Sequence, residues 1–330
     1  MFNSLKAKIL SRIVLLLVVG LTVIGVVGCV MNYVSTQDTL KETMTELVAQ
    51  CTVRIRNRLQ RSTAVATELG LDYRFSDSSI STDEKLELLK NRATPYGAVG
   101  YGIIDSNGIA DNGSDFKSSD MFTRVMNGEI VITEPQNAND QWFMYIVAPI
   151  REQGLSSGQV IGAIYITLDG KFLSNIVSEI NIGETGLCYI LNPEGTYIAS
   201  HNFNEVESKL NYIKSGDPTY ATVAAQQKEA LNLKVSDGIL YHEFNFAGVE
   251  KFGGFGAIEG TDNWILCCTT FVNEWLEGTY IAIIITVIVA VVLIVIAVIV
   301  SIFTANNIVN PILKTVAVMD AVSEGNLNVS

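Results

Sequence analysis

The side chains best suited to proton transfer near neutrality are His201 and His242, the only two histidines in 330 residues. They stand alone and far apart, and the chain holds no Gly-x-Ser-x-Gly elbow, no Walker loop and no His/Cys/Asp cluster at metal spacing. The sequence therefore predicts no catalytic site, no metal centre and no cofactor. Gly253-Gly254-Phe255-Gly256 lies between strand patterns and reads as a bulge or a close backbone approach rather than a phosphate cradle. Cys188 and the pair Cys267-Cys268 sit in apolar strand patterns, and strand neighbours face opposite ways, so only one of the pair could meet Cys188. A disulfide in an oxidising compartment and small buried hydrophobes both fit that spacing. Arg54, Arg56, Arg58 and Arg61 form a basic cluster that reads as a solvated face pairing with nearby acids more readily than as an anion site. Binding is what remains. Tyr101, Phe122, Trp142, Tyr145 and Tyr165 are aromatic, mostly with a polar tip, and suit a small organic ligand gripped by its apolar face and a few hydrogen bonds. Trp142 and Tyr145 differ by three positions, so a regular strand points them to opposite faces.

The elements that position these residues follow from composition. Hydrophobic residues make up 48% of the chain and charged ones 17%, too apolar for a wholly soluble or a disordered protein. The net charge of −12 lacks the basic footprint of a nucleic-acid-binding domain. Ile13–Met31 is almost entirely aliphatic, and its 19 residues at ~1.5 Å each reach about 28 Å, enough to cross a bilayer core. Tyr280–Phe303 is apolar throughout, with Trp275 and Tyr280 where an interfacial aromatic belt is expected. Lys6, Lys8 and Arg12 before the first span place the N-terminus in the cytoplasm, so two spans put residues 34–279 outside. A cleaved signal peptide, or a lipid on Cys29 within Val26-Val27-Gly28-Cys29, are the competing readings of the first span. The domain plan is a cytoplasmic N-terminus 1–12, transmembrane helix 13–33, outer domain 34–279, transmembrane helix 280–303 and a cytoplasmic segment 304–330.

Within the outer domain, Leu40, Met44, Leu47, Cys51, Ile55 and Leu59 recur every three or four residues and predict a long helix over 34–70, suited to pairing with its twin in a homodimer. Strands are expected at Ala98–Ile104, Glu129–Thr133, Trp142–Ile150 and Gln159–Thr167, with short helices at Asp120–Asn127 and Asp169–Ile180. The theme repeats with strands at Gly186–Leu191 and Thr196–Ser200, a polar, partly helical stretch, then Gly238–Phe246, Val249–Ile258 and Trp264–Phe271. Two α+β lobes in series are implied, about 75–170 and 180–272.

The run from Met121 to His201, and above all INIGETGLCYILNPEGTYIAS at Ile180–Ser200, resembles the double Cache domain of bacterial transmembrane receptors. Asn310-Pro311-Ile312 and Glu324-Gly325-Asn326-Leu327 are similar to the first helix and connector of a HAMP relay. The resemblance implies an α+β fold of two PAS-like (Cache) lobes with antiparallel sheets, and a ligand held by the membrane-distal lobe. Amino-acid-sensing members grip carboxylate and ammonium with Arg-x-Trp-Tyr on the helix and Asp on the last strand. Here those positions read Ser119-Asp120-Met121-Phe122 and Tyr165, so the charged grip is missing, with Arg124 or Asp120 as substitutes.

Ile308, Ile312, Val316, Met319 and Val322 form a seam for parallel helices, and Pro311 interrupts continuation from the span, so a joint there could convert a piston or tilt into a packing change. The expectation is a homodimeric receptor of the methyl-accepting chemotaxis type, not an enzyme, with a small-molecule ligand and cytoplasmic signalling partners reached through an output module beyond the HAMP-like segment. A histidine kinase or diguanylate cyclase sensor, and a membrane-tethered binding protein without output, are the alternatives.

Overall fold

Two long apolar stretches and an alternating middle give two kinds of element. The computed structural model describes residues 5–304, 307 and 310–323. Contacts divide the chain into Lys41–Glu274 on one hand and Met1–Leu40 with Trp275–Ser330 on the other.

In the second unit the apolar stretches belong to α1 (Leu5–Gly70), which continues into the first unit, and α9 (Val272–Thr304). Both are long and apolar enough to cross a membrane. Leu16, Ile24, Ile281 and Ile299 are exposed around these helices, a surface that suits lipid and not water. Thr279 Oγ1 donates to Thr36 Oγ1 at 3.0 Å, a polar link between the two helices. The expected span and the expected 34–70 helix are one uninterrupted element, because no proline or capping signal separates them. Beyond α9 the helix α10 (Asn310–Ser323) carries Pro311 in its first turn, where a missing N–H is tolerated. Ile308 and Glu324-Gly325-Asn326-Leu327 lie outside the described residues.

Lys41–Glu274 holds the two lobes, and the α+β class with antiparallel sheets in series is borne out. The first sheet orders β1 (Ala98–Asp105), β5 (Val160–Asp169), β4 (Gln141–Arg151) and β2 (Val131–Ile132), with β3 (Gln136–Ala138) on β4. Between α1 and this sheet lie α2 (Tyr73–Ser76) and α3 (Thr82–Ala93), both unforeseen. Ser81 caps α3 by accepting from Glu84 N, with Asp83 and Glu84 in the first turn and Lys90 and Arg92 in the last, charges that complement the helix dipole. The turn into β4 is Asn139-Asp140 with φ of 53° and 60°, a two-residue hairpin loop that left-handed Asn and Asp tolerate. This hairpin trims the expected Glu129–Thr133 strand to two residues and adds β3. Short α4 (Asp120–Met126) is capped by Ser119 and stops at Gly128, whose φ is 91°.

After α5 (Phe172–Ser178) the second sheet orders β7 (Tyr197–Ser200), β6 (Leu187–Leu191), β10 (Ile265–Phe271), β9 (Val249–Ala257) and β8 (Ile239–Phe246). The polar excursion between β7 and β8 folds as α6 (Phe203–Glu207), α7 (Tyr212–Ser215) and α8 (Ala221–Ala230) over one face. The other face receives α1. A Cβ on Gly254 would stand 2.7 Å from Val48 Cγ2, so the glycine-rich run is a close approach and not an anion cradle. Gly254→Ala is expected to destabilise by about 1 kcal/mol through overpacking against stiff Val48, read as a lower urea midpoint at constant slope. In register, Cys188 opposes Cys268, with 2.7 Å between the sulfurs, while Cys267 faces the opposite core; all three are buried free thiols.

Candidate functional site

The first lobe packs α4 against the sheet face carrying Tyr145, Val147 and Tyr165. Tyr145 meets Phe116 edge-on at 6.0 Å and Phe143 at 5.0 Å, which makes an aromatic wall, and Tyr165 backs it at 5.5 Å from Tyr145. One backbone and one side-chain hydrogen bond secure the wall: Thr133 N donates to Tyr145 O at 2.9 Å, and Tyr145 N donates to the Thr133 hydroxyl at 2.8 Å. Behind it, the Tyr165 hydroxyl accepts from Asn112 Nδ2 at 3.4 Å. Burial pushes the Tyr165 phenol up to about 12, with the Asp111 carboxylate adding to the rise, so it stays a neutral donor at any working pH.

The wall borders a crevice of about 1040 Å³ between the lobes, wide compared with ordinary ligand pockets of roughly 300–1,000 Å³. Its first-lobe side includes Phe116, Met121, Thr133, Trp142 and Tyr145, and its second-lobe side Asn192 and Tyr197. Charged groups span it. Arg124, on α4, makes a bidentate pair with Asp262 of the β9–β10 loop at 2.7 and 2.8 Å, and its Nε donates to Glu129 at 2.9 Å. Asn192 Nδ2 reaches across to both oxygens of Glu134 at 3.1 and 3.0 Å. Burial raises the Glu134 carboxyl above its ordinary value, and the Asn192 hydrogen bonds oppose the rise.

The six residues singled out from sequence are thus separated. Trp142, Tyr145 and Arg124 border the crevice. Trp142 does so with its ring edge-on to Phe203 of the second lobe at 5.6 Å, and Tyr145 does so on the wall beside Phe116. Both can border one crevice because it runs past the end of β4, where the two lobes meet. Phe122 and Tyr165 are buried in the core beneath the wall, 7% and 6% exposed. Tyr101 is elsewhere: a Cβ on Gly102 would meet the Tyr165 hydroxyl, so alternation turns Tyr101 to the opposite sheet face. Arg124 is not a free grip, since the Asp262 and Glu129 carboxylates already accept hydrogen bonds from it and that of Asp120 stands 3.8 Å away. Sequence reading missed Phe116, Thr133, Asn192 and Asp262; only the Asn192-Pro193-Glu194-Gly195 turn left a signal, and that signal spoke of a turn and not of a site.

Among the described residues no group of three or more His, Cys, Asp or Glu is placed to hold a metal ion. A family model described as Cache domain matches residues 32–279. No curated protein matches the chain in sequence. Among solved structures it is similar to the sensory domain of the Campylobacter jejuni chemoreceptor Tlp3 (CcmL) with isoleucine bound, at 12% identity and TM-score 0.56, covering 74% of this chain and 98% of that one. It is also similar to the Pseudomonas fluorescens chemoreceptor CtaA ligand-binding domain in complex with L-leucine, at 14% identity and TM-score 0.56, covering 73% and 99%. The Pseudomonas aeruginosa PAO1 amino acid chemoreceptor PctB domain in complex with L-Arg matches at 14% identity and TM-score 0.55, covering 72% and 97%. At these identities the likeness is one of fold.

Proposed function

This chain belongs to the Cache domain family, and we propose that it is the sensing portion of a homodimeric transmembrane chemoreceptor. The observation that carries the reading is a ligand-sized crevice under an aromatic wall, in a two-lobed unit whose α1 and whose following α9 are both apolar enough for a bilayer. Basic residues ahead of the first span support an extracytoplasmic sensor domain. Helix α10 with Pro311 in its first turn supports a HAMP-type relay toward a cytoplasmic output. A ligand acts here only by preferring one of two dimer states.

The ligand of this first crevice is a small neutral or cationic organic molecule whose apolar face lies on Tyr145 and Phe116. Asp120, Glu134, Glu194, Glu207 and Asp262 line the space against Arg124, Lys209 and Lys214, and Arg124 is already neutralised by its own partners. The full chain in lipid nanodiscs, scanned thermally against a panel of amines, amino acids and polar neutral compounds, tests this. At about 100 times its Kd a true ligand stabilises by about 2.7 kcal/mol, a Tm rise of roughly 5–10 °C. Tyr145→Ala is expected to weaken that ligand at least tenfold. A panel with no shift, or a shift indifferent to Tyr145→Ala, overturns the assignment.

A further inference from the structure

The second lobe has a cavity of its own. It measures about 160 Å³ and opens between the sheet face opposite α1 and the α6–α8 excursion. Aromatic rings dominate its walls: Tyr197 meets Tyr212 edge-on at 6.0 Å, and Tyr212 meets Phe246 at 5.7 Å. Lys251 projects into this setting from β9, in register with Phe244 on β8 and Phe271 on β10. Its Nζ lies 4.5 Å from the Phe246 ring centroid and 5.0 Å from that of Phe271. Among the described residues it forms no ion pair with a carboxylate.

A half-buried ammonium resting on ring faces is incompletely compensated, because cation–π attraction replaces only part of the lost hydration and the nearby Glu205 carboxylate acts on it without forming an ion pair. Burial lowers the Lys251 pKa, and the Glu205 carboxylate offsets only part of that fall. Glu205 is the one acid among the described lining residues, and its Oε2 is occupied by the Ser200 hydroxyl at 2.6 Å. The volume is close to that of an engineered cavity of about 150 Å³ that takes benzene. We propose that this cavity is a second ligand site, for a small organic monocarboxylate whose carboxylate sits on Lys251 and whose compact apolar body lies against Tyr212 and Phe246. A second anionic group would face Glu205, so dicarboxylates are disfavoured.

The proposal is independent of the first crevice, and the test separates the two. The full chain in nanodiscs is titrated with benzoate, butyrate and succinate, following Tm and calorimetric heats, as wild type, Lys251→Met and Tyr145→Ala. Methionine keeps the apolar stem and removes the charge, so Lys251→Met folds, which circular dichroism checks. Benzoate or butyrate binds the wild type and Tyr145→Ala equally, Lys251→Met weakens it at least tenfold, and succinate binds more weakly than butyrate. Absence of benzoate and butyrate binding to the wild type, equal affinity in Lys251→Met, or tighter binding of succinate overturns the proposal. Loss of carboxylate binding in Tyr145→Ala with retention in Lys251→Met moves the site to the first crevice and overturns it as well.

Discussion

Phe255→Ala is expected to lower the unfolding free energy by about 3–5 kcal/mol, the ordinary range for emptying a buried aromatic position. Phe255 is fully buried on β9, among Tyr189, Leu191, Tyr197, Ile265 and Cys267. Its same-face neighbours along the strand are Gly253 and Ala257, and neither carries a side chain long enough to fill the void. The surrounding groups are also tied in place. Tyr189 and Tyr197 stack at 4.5 Å, and the buried Gln227 amide donates to both of their hydroxyls at 3.2 Å. Relaxation would therefore break buried hydrogen bonds, which keeps the cavity open and the cost high. At ~2–4 °C per kcal/mol the Tm falls by roughly 6–20 °C. Urea unfolding of the full chain checks this, and a loss below about 1 kcal/mol would show that the second core collapses more freely than its hydrogen bonds allow.

The second large effect sits where the sensor unit ends. Glu274, the last residue of Lys41–Glu274, accepts from Glu184 N at 2.6 Å and Thr185 N at 3.0 Å, from the Thr185 hydroxyl, and from Thr270 Oγ1 at 3.4 Å. Glu274→Ala leaves these donors to water and is expected to cost about 2–3 kcal/mol, the scale of hydrogen bonds to a charged group. Burial alone would raise the Glu274 carboxyl, but the bonds from Thr185, Glu184 and Thr270 bring it below the ordinary value. A lowered folded-state pKa means that the stabilisation is fully present above the unfolded value of about 4.3 and is lost as pH falls through the lower folded one. Wild type and Glu274→Ala should therefore differ in stability at pH 7 and converge below about pH 4. A gap that persists unchanged at pH 3 would assign the effect to packing of the glutamate stem.

The lesson for reading such a chain lies in particular elements. The stripe Leu40, Met44, Leu47, Cys51, Ile55, Leu59 announced a helix because one face is buried at a period near 3.6, although that face runs through Val48 and leaves Leu47 only partly covered. The strands β4, β5, β8, β9 and β10 were legible within two residues at each end because alternation and turn residues bounded them. Residues 73–93 gave no reading, since α3 is mostly polar and only Leu89 and Ala93 are buried. The Asn139-Asp140 hairpin was written in its residue types and went unread.

Sequence alone determined the two apolar helices, the α+β lobes and the absence of recognisable catalytic motifs, because these depend on local composition, period and spacing. The tertiary structure decided which aromatics face a cavity and which are core. Tyr101 and Tyr165 look alike in sequence, yet the register of β1 on β5 turns one to each side of the sheet. Arg124 looked like a ligand grip until the fold brought Asp262, 138 residues away, within 2.7 Å of it. Lys251 passed unnoticed among 22 Lys and Arg until three strands and an excursion of short helices surrounded it with rings. Burial, pairing and leftover charge are properties of neighbours distant in the chain, and only folding supplies those neighbours.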